Sequence, residues 1–194
     1  MAAYAVEVAI SADEAAVVSV MTLAFGNDPI TRWSWANPHR YLEHFPHFVR
    51  AFGGKAFALG SAHCAESHAG AALWLPPDVH PDEEAMGALM ESTVPEDVRK
   101  DVFAVVEQMG HHHPEAPHWY LPLIGVDPAR QGRGYGAALL KHGLLACDRD
   151  RVAAYLESTN PRNIPLYERH GFEVIGTIQA GSSPPIFPML RKPR

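Results

Sequence analysis

One short segment, GVDPARQGRGYGAALL over residues 125–140, constrains the fold more than any other part of the chain. An apolar stretch ends at Val126, Pro128 turns the chain, and alternating glycines lead directly into a helical pattern. Such glycines allow positive φ angles and let a ligand approach the backbone closely. Several amide groups then point outward at the positive end of a helix, which is the geometry that binds phosphate. The predicted phosphate cradle consists of Gln131, Gly132, Arg133, Gly134, Tyr135, Gly136 and Ala137.

Three types of loop could bind phosphate in this way, and a glycine-rich turn without a ligand is a further alternative. The P-loop requires Gly-Lys followed by Ser or Thr, a sequence that this chain lacks. The dinucleotide fingerprint G-x-G-x-x-A is matched by Gly132, Gly134 and Ala137, with Glu157 positioned for a ribose. Against it, five residues separate the strand end from Gly132, and the 37 residues after Glu157 are too few for a doubly wound sheet.

The third type of loop matches a longer part of the sequence. The pattern Q-x-x-G-x-G beginning at Gln131 resembles the acetyl-CoA motif [RQ]-x-x-G-x-[GA] of the GNAT superfamily of N-acetyltransferases. A second stretch, STNPRNIPLYERHGFEV at 158–174, resembles a later motif of that superfamily, with Asn, a Tyr on a short helix, and Gly-Phe before a strand. The local sequence is most similar to puromycin N-acetyltransferase-like bacterial proteins. This similarity is dense over 118–178 and faint over 36–110.

The resemblance implies the GNAT fold, an α/β (α+β) protein with a mixed central sheet of six to seven strands. Two central strands, at 119–126 and 152–157, are expected to splay apart, with helices flanking the sheet. Acetyl-CoA is the implied co-substrate, with its pantetheine arm between the two strands. Besides the phosphate cradle, the implied cofactor-binding residues are Ile124, Gly125, Val126, Asn160, Asn163 and Tyr167. For Asn163, a cap on the following helix is an equal alternative.

The implied reaction is direct transfer of an acetyl group to the primary amine of a small molecule. Tyr167 is the implied general acid, because a phenol stays protonated at neutral pH and can protonate the departing thiolate. Glu157 is a candidate base, and an ion-paired acid at a strand end is the alternative. A catalytically silent protein that binds acetyl-CoA as a sensor or interaction module is the other functional class that the motifs allow.

The acceptor pocket is expected from the first helices, the loop after them and the neighbouring strands. Aromatic side chains with one acid would suit a cationic or aromatic amine. Each tryptophan is individually also explained by packing in the core. The candidate acceptor residues are Asp28, Arg32, Trp33, Trp74, His118 and Trp119.

Local patterns predict most of the helices and strands of one domain over 1–194, with a helical insertion at about 78–110. Ser11 and Glu14 form the pattern of a capping box that opens a helix. The stretch 55–59 resembles a strand, and 82–109 resembles one helix. Pro46 is expected to kink or interrupt an amphipathic helix.

Composition limits the partners and the chemistry. The net charge of -6 argues mildly against nucleic acid or an anionic membrane as a partner, and suits a small-molecule amine. Two cysteines and no apparent targeting segment favour a cytoplasmic protein with reduced thiols. The histidines at 111–113 and His118 are expected to lie in a solvated loop, and no metal site is predicted. A homodimer is a possible assembly.

Overall fold

The computed structural model describes residues 4–194 and contains a seven-stranded mixed sheet flanked by helices. The strands are β1 (Val6–Val8), β2 (Ala62–Ala65), β3 (Gly70–Leu75), β4 (His118–Val126), β5 (Ala153–Ser158), β6 (Glu173–Val174) and β7 (Phe187–Arg191). The helices are α1 (Glu14–Ala24), α2 (Pro29–Ser34), α3 (Pro38–Gly53), α4 (Lys55–Ala58), α5 (Glu83–Thr93), α6 (Glu96–His112), α7 (Tyr135–Asp150) and α8 (Ile164–Arg169). The strand order is β1-β2-β3-β4-β5-β7-β6, and β4–β5 is the parallel pair. The predicted α/β class and mixed sheet are confirmed.

The sheet is covered on both faces because its central strands alternate between two apolar clusters. Every residue of β3 is buried. Leu73 and Leu75 pack on the face covered by α1 and α3, whereas Trp74 packs on the face covered by α7. Leu139 and Leu140 anchor α7 in the second cluster, and both are completely buried. This packing fixes the position of the glycine-rich loop that precedes α7.

The two central strands separate partway along their length. The parallel pairing of β4 with β5 runs only from His118 to Tyr120, whereas β4 continues to pair with β3 as far as Val126. The β3–β4 register shifts between Leu73 and Leu75, where β4 holds one extra residue. Pro122 lies in this irregular part of β4, and a proline has no N–H for a ladder hydrogen bond. The predicted splay of the central strands is confirmed.

Two local predictions near the N-terminal half of the chain are wrong. The stretch 55–59, expected to be a strand, forms α4, because Gly54 keeps a right-handed helical conformation and its N–H donates to the Arg50 carbonyl. The capping box expected of Ser11 and Glu14 is absent. The Asp13 carboxylate instead accepts a hydrogen bond from the Ile10 N–H at 2.9 Å.

The helical prediction at 82–109 is correct in type but wrong in continuity. Val94 is extended and Pro95 follows it, so the segment divides into α5 and α6. Helix α3, by contrast, continues through Pro46 without interruption, with its apolar face packed in the core. That α5 and α6 are an insertion in a single domain stays a prediction. Within residues 4–194, none of the helices has both the length and the apolar composition needed to cross a membrane.

Candidate active site

A cavity of about 820 Å³ opens where β4 and β5 separate. Its first side, called the glycine-loop wall below, consists of β4, the loop at 130–134, the start of α7 and the chain from Glu157 to α8. Its second side, the helical wall, consists of α2, α5, α6 and the junction between α5 and α6, together with Phe48 and Phe52 of α3. The cavity lies within the size range of small-molecule binding sites. The predicted residues that line the glycine-loop wall are Ile124, Gly125, Val126, Gln131, Gly132, Gly134, Tyr135, Gly136, Ala137, Glu157, Asn160, Asn163 and Tyr167.

The glycine-rich loop has the backbone that its sequence predicts. Gly132 and Gly134 have φ angles of +74° and +98°, and Gly134 is the N-cap of α7. The first turn of this 16-residue helix contains no acidic residue. Arg130 lines the cavity beside the loop, and Arg162 and Arg169 line it from the α8 side. The free N–H groups at the start of α7 and these guanidinium groups together favour an anion. Arg133 is exposed and lies outside the cavity lining.

The free edge of β4 forms the floor of the same wall. Beyond Tyr120 this strand has no pairing with β5, so alternate backbone groups on that edge are available to a ligand. The Val126 carbonyl is the exception, because it accepts a hydrogen bond from the Gln131 side-chain amide at 3.2 Å. Gly125 has a packing reason for its small size, since a Cβ there would lie 2.7 Å from the Ala24 side chain of α1.

The two asparagines before α8 differ in their local roles. The Asn160 side chain accepts a hydrogen bond from the Arg162 N–H at 3.1 Å and caps the short 3₁₀ turn at 161–163. Asn163 is at the N-cap of α8, but its side chain makes no capping hydrogen bond. The Asn163 amide is therefore free of the structural role that the sequence suggested, and it faces the cavity.

Tyr167 lies on α8 with its side chain 5% exposed. Its ring packs edge-on against Phe172, with centroids 6.2 Å apart. Burial, and secondarily the charge of Asp28, raise the pKa of the Tyr167 phenol well above its ordinary value. Within residues 4–194, no protein group hydrogen-bonds the hydroxyl, so its proton is available to a ligand in the cavity.

Glu157 lies at the end of β5 with its side chain 4% exposed. Its Oε2 accepts a hydrogen bond from the Tyr120 hydroxyl at 2.8 Å. Its Oε1 is buried and has no hydrogen-bond donor among the described residues, and the His113 Nδ1 is 3.9 Å away. A buried carboxylate with one unused oxygen can accept a proton.

Asp28 is also buried, but its carboxylate is fully engaged. Its Oδ1 accepts hydrogen bonds from the Thr31 N–H and hydroxyl, at 3.0 and 3.1 Å. Its Oδ2 accepts a short hydrogen bond from the Thr159 hydroxyl. Asp28 therefore holds the start of α2 against the loop after β5, and both walls of the cavity depend on this contact.

Four of the candidate acceptor residues lie outside the cavity lining, and their assignment to the pocket is corrected here. The Trp74 indole is fully buried against Gly143 of α7, on the opposite face of the sheet from α1 and α3. The Trp119 indole donates to Asp150, and Arg32 stacks on the Tyr41 ring. His118 hydrogen-bonds the Ala116 carbonyl and His113. The alternation of side chains along a strand explains why the two tryptophans miss the cavity, because both point to the face of the sheet that α7 covers.

Trp33 does line the cavity, and its indole N–H donates to the Ser182 hydroxyl at 3.2 Å. Most of the helical wall, however, was not identified from the sequence. Its residues share apolar side chains, and a hydrophobic pattern does not show whether an apolar helix face meets the core or a cavity. They are Ile30, Met86, Met90, Val94, Val102, Val105, Val106 and Met109.

The histidine-rich segment is not the solvated loop that the sequence suggested. His111 and His112 belong to the last turn of α6. The His113 side chain is 25% exposed and stacks edge-on against Tyr120 and Tyr155, with both centroid distances 4.8 Å. The segment thus contacts the site through Glu157. In the part of the chain that the structure describes, no group of three or more potential ligands is arranged for a metal ion.

Part of the chain is similar to known acetyltransferases. Residues 97–174 match the acetyltransferase (GNAT) domain model. An uncharacterized N-acetyltransferase of Schizosaccharomyces pombe is 35% identical over 78 residues, which are 39% of this chain and 32% of that protein. A mycothiol acetyltransferase of Kineococcus radiotolerans is 45% identical over 67 residues, 33% of this chain and 22% of that protein. The chain thus matches about a third or less of the length of these curated relatives.

Solved structures extend the similarity to the whole fold. A structure described as histone acetyltransferase HPA2 and related acetyltransferase, from Corynebacterium glutamicum, is 27% identical with a TM-score of 0.71. It covers 100% of this chain and 98% of its own. Arylalkylamine N-acetyltransferase 2 from Aedes aegypti has a TM-score of 0.69 at 15% identity, over 98% of this chain and 99% of its own. Residues 97–174 of the chain therefore resemble a GNAT acetyltransferase domain, and residues 4–194 have the fold of the acetyltransferase structures to which the chain is similar.

Proposed function

We propose that this protein transfers the acetyl group of acetyl-CoA directly to the primary amine of a small molecule. The observation that carries the proposal is the continuity of the glycine-loop wall. A free strand edge leads to a glycine loop at a helix N-terminus, and a buried tyrosine with an available hydroxyl faces the same cavity. These features suit, in order, a pantetheine arm, a pyrophosphate and a thioester.

The residues of the glycine-loop wall fit acetyl-CoA as co-substrate. Backbone groups at 124–126 would pair with the pantetheine amides as a neighbouring strand does. Amides at 132–137 would bind the pyrophosphate, with Arg130 supplying positive charge. Arg133 would contribute only at the exposed rim, where a charge is strongly screened. Asn163, whose amide is not used as a cap, would hydrogen-bond the cofactor.

Tyr167 would act as the general acid in the collapse of the tetrahedral intermediate. The amine nitrogen uses its lone pair to form the C–N bond, the C–S bond breaks, and the sulfur keeps its electron pair. The Tyr167 hydroxyl gives its proton to that sulfur, and the resulting phenolate takes up the proton that the nitrogen loses as the amide forms. Because burial raises the pKa of Tyr167, the phenol is protonated before the reaction and recovers a proton readily afterwards.

Glu157 would receive the proton that the acceptor ammonium must lose before it attacks. Its unused Oε1 is buried at the end of β5, on the same side of the cavity as Tyr167. A carboxylate in this position also attracts a cationic amine into the site. The Tyr120 hydroxyl holds the other oxygen and so fixes the orientation of the group.

The helical wall indicates the class of acceptor. Its side chains are mostly methionine, valine and aromatic residues, and the arginine side chains that line the cavity are all near the glycine loop and α8. Buried apolar area favours an amine with an apolar body, at about 25 cal/mol per Å². We therefore propose a monoamine with an aromatic or branched aliphatic body rather than a polyamine or an aminoglycoside.

Two measurements test this function in sequence. Acetyl-CoA at about 100 times its dissociation constant should stabilise the fold by about 2.7 kcal/mol in a thermal unfolding assay. Thiol release is then measured with phenylalkylamines, branched alkylamines, spermidine and kanamycin. Turnover with the first two classes supports the proposal. Stabilisation without thiol release from any amine would favour the silent acetyl-CoA-binding module, and absence of stabilisation would contradict both.

A further inference from the structure

The histidines at the end of α6 and the start of β4 form a chain that ends at Glu157. The His118 Nε2 is 2.9 Å from the His113 Nε2, and the His113 Nδ1 is 3.9 Å from the Glu157 Oε1. We propose that His113 and His118 form a relay that removes the acceptor's proton from Glu157 to solvent. This inference rests on the proposed function and adds two residues that its motifs do not contain.

The hydrogen bonds of the pair set the positions of its protons. The His118 Nδ1 lies 2.8 Å from the Ala116 carbonyl, which can only accept, so His118 carries its proton on Nδ1. The His118 Nε2 of the neutral ring is then an acceptor. Since it lies 2.9 Å from the His113 Nε2, His113 must donate there. The remaining nitrogen, His113 Nδ1, keeps its lone pair and faces Glu157.

The groups around His118 favour its neutral ring at rest. Burial lowers the pKa of His118, and the nearby His113 and His80 lower it further, while Ala116 and Glu157 act in the opposite direction. On β4 and β5, the Tyr120 and Tyr155 rings surround His113. Burial and Glu157 raise the pKa of both phenols, so they are neutral as well. A neutral pair beside a buried carboxylate can take up one proton.

The proton balance of the relay is simple. The acceptor ammonium gives one proton to Glu157, which becomes a neutral carboxylic acid and releases the amine lone pair. The acid passes that proton to His113 Nδ1, across a gap of 3.9 Å that a small rotation of the ring can close. The resulting imidazolium shares its charge with His118 through the Nε2–H···Nε2 bond. His113 passes its Nε2 proton to the His118 Nε2, His118 releases its Nδ1 proton to water, and exchange of ring protons with water restores the starting tautomers.

The position of the pair explains how a buried carboxylate can exchange protons. Glu157 has a side chain only 4% exposed, whereas that of His113 is 25% exposed. Without a relay, the proton would have to leave through the cavity while the cavity holds acceptor and acetyl-CoA. His113 and His118 do not line the cavity, so they offer the proton a second exit.

The kinetic test uses His113→Asn and His118→Asn, with His111→Asn as the matched control on the exposed side of α6. Both relay variants should lower kcat about 10-fold at pH 7, with the KM for acetyl-CoA unchanged. This loss should shrink to less than about twofold as the pH approaches the amine's own pKa, because the acceptor then enters without its extra proton. Imidazole in solution should partly restore His113→Ala, and His111→Asn should match the wild type.

A loss that is equal at every pH, or no loss at all, would overturn the relay while leaving the proposed function intact. A second, independent test is NMR spectroscopy of the histidine side chains. It needs no turnover, because the nitrogen chemical shifts report which tautomer each histidine adopts. We expect the Nδ1–H form for His118 and the Nε2–H form for His113. The opposite tautomers would overturn the relay. If the wild-type protein released no thiol with any of the amines, the proposed function would be overturned, and the relay with it.

Discussion

The two walls of the cavity are built in different ways. The glycine-loop wall comes from one nearly continuous stretch, 118–169, and it offers mainly backbone groups to a ligand. The helical wall brings α2 together with α5 and α6, which come much later in the sequence, and it offers mainly side chains. A backbone site requires glycines and turns at fixed spacings. A side-chain site requires only apolar volume, so many sequences can form it.

This difference matches the distribution of sequence similarity. The family model covers 97–174, which includes the glycine-loop wall and α6 but not α2 or α5. A protein can therefore keep its co-substrate site while its acceptor changes with the helices. Four substitutions, each paired with a control, test this division between the walls, in order of decreasing expected effect.

The largest effect is expected from Tyr167→Phe. Removing the proposed acid should lower kcat about 100-fold, with little change in acetyl-CoA affinity, because only the transition state needs its proton. Tyr41→Phe is the control, since Tyr41 is a buried tyrosine outside the cavity lining whose hydroxyl donates to the Thr22 carbonyl. Steady-state thiol release measures both. An unchanged kcat in Tyr167→Phe would remove this residue from the mechanism.

The second effect is on stability, and it tests how tightly α7 packs beneath the glycine-loop wall. A Cβ at Gly143 would overlap the Trp74 indole, so Gly143→Ala should lower the free energy of unfolding by about 2 kcal/mol. Gly87→Ala is the control on α5, where a Cβ would have no neighbour within 4 Å. It should raise stability by about 0.5 to 1 kcal/mol, because alanine is the better helix former. Urea unfolding measures both; equal effects would show that α7 is no more tightly packed than α5.

A third, smaller effect is expected at the phosphate cradle. Gly134 has a φ of +98°, which alanine adopts only with strain of about 1–2 kcal/mol. Gly134→Ala should therefore weaken acetyl-CoA binding about tenfold, while the KM for the amine stays within about twofold. Gly60→Ala provides the same kind of strain at φ +65°, away from the cavity. Calorimetric titration with acetyl-CoA measures the affinity of both variants. An equal loss of affinity in both would indicate a general effect on folding.

The smallest effect is expected on the helical wall. Val106 lines the cavity and is 38% exposed, whereas Phe103 on the same helix is 37% exposed and is not part of the lining. Val106→Asn should raise the KM for a phenylalkylamine about threefold without changing acetyl-CoA affinity, because it removes apolar contact area. Phe103→Asn should leave both constants unchanged. If Val106→Asn changed acetyl-CoA affinity as well, the two walls would not be separable.

The sequence was most informative where the backbone itself, rather than a side chain, is expected to bind the ligand. The alternating glycines predicted the loop before α7, and the two motifs predicted the splayed sheet. The same reasoning failed for Lys55–Ala58, because a short apolar stretch after two glycines fits a strand or a helix equally well, and packing decides. The assignment of Trp74 and Trp119 to the acceptor pocket failed for a related reason. A strand places alternate side chains on opposite faces, and only the assembled sheet shows which face meets the cavity.

The sequence alone determined the class of fold and the position of the candidate co-substrate site, because turns, positive φ angles and helix starts are local properties of the chain. The resemblance to puromycin N-acetyltransferase-like proteins, the cytoplasmic location and the possible homodimer stay predictions. The tertiary structure decided which side chains meet: the apolar helical wall, the Asp28–Thr159 contact, and the approach of His113 to Glu157. These contacts join residues from 44 to 131 positions apart, so no local pattern encodes them, and they form only when the helices close over the splayed sheet.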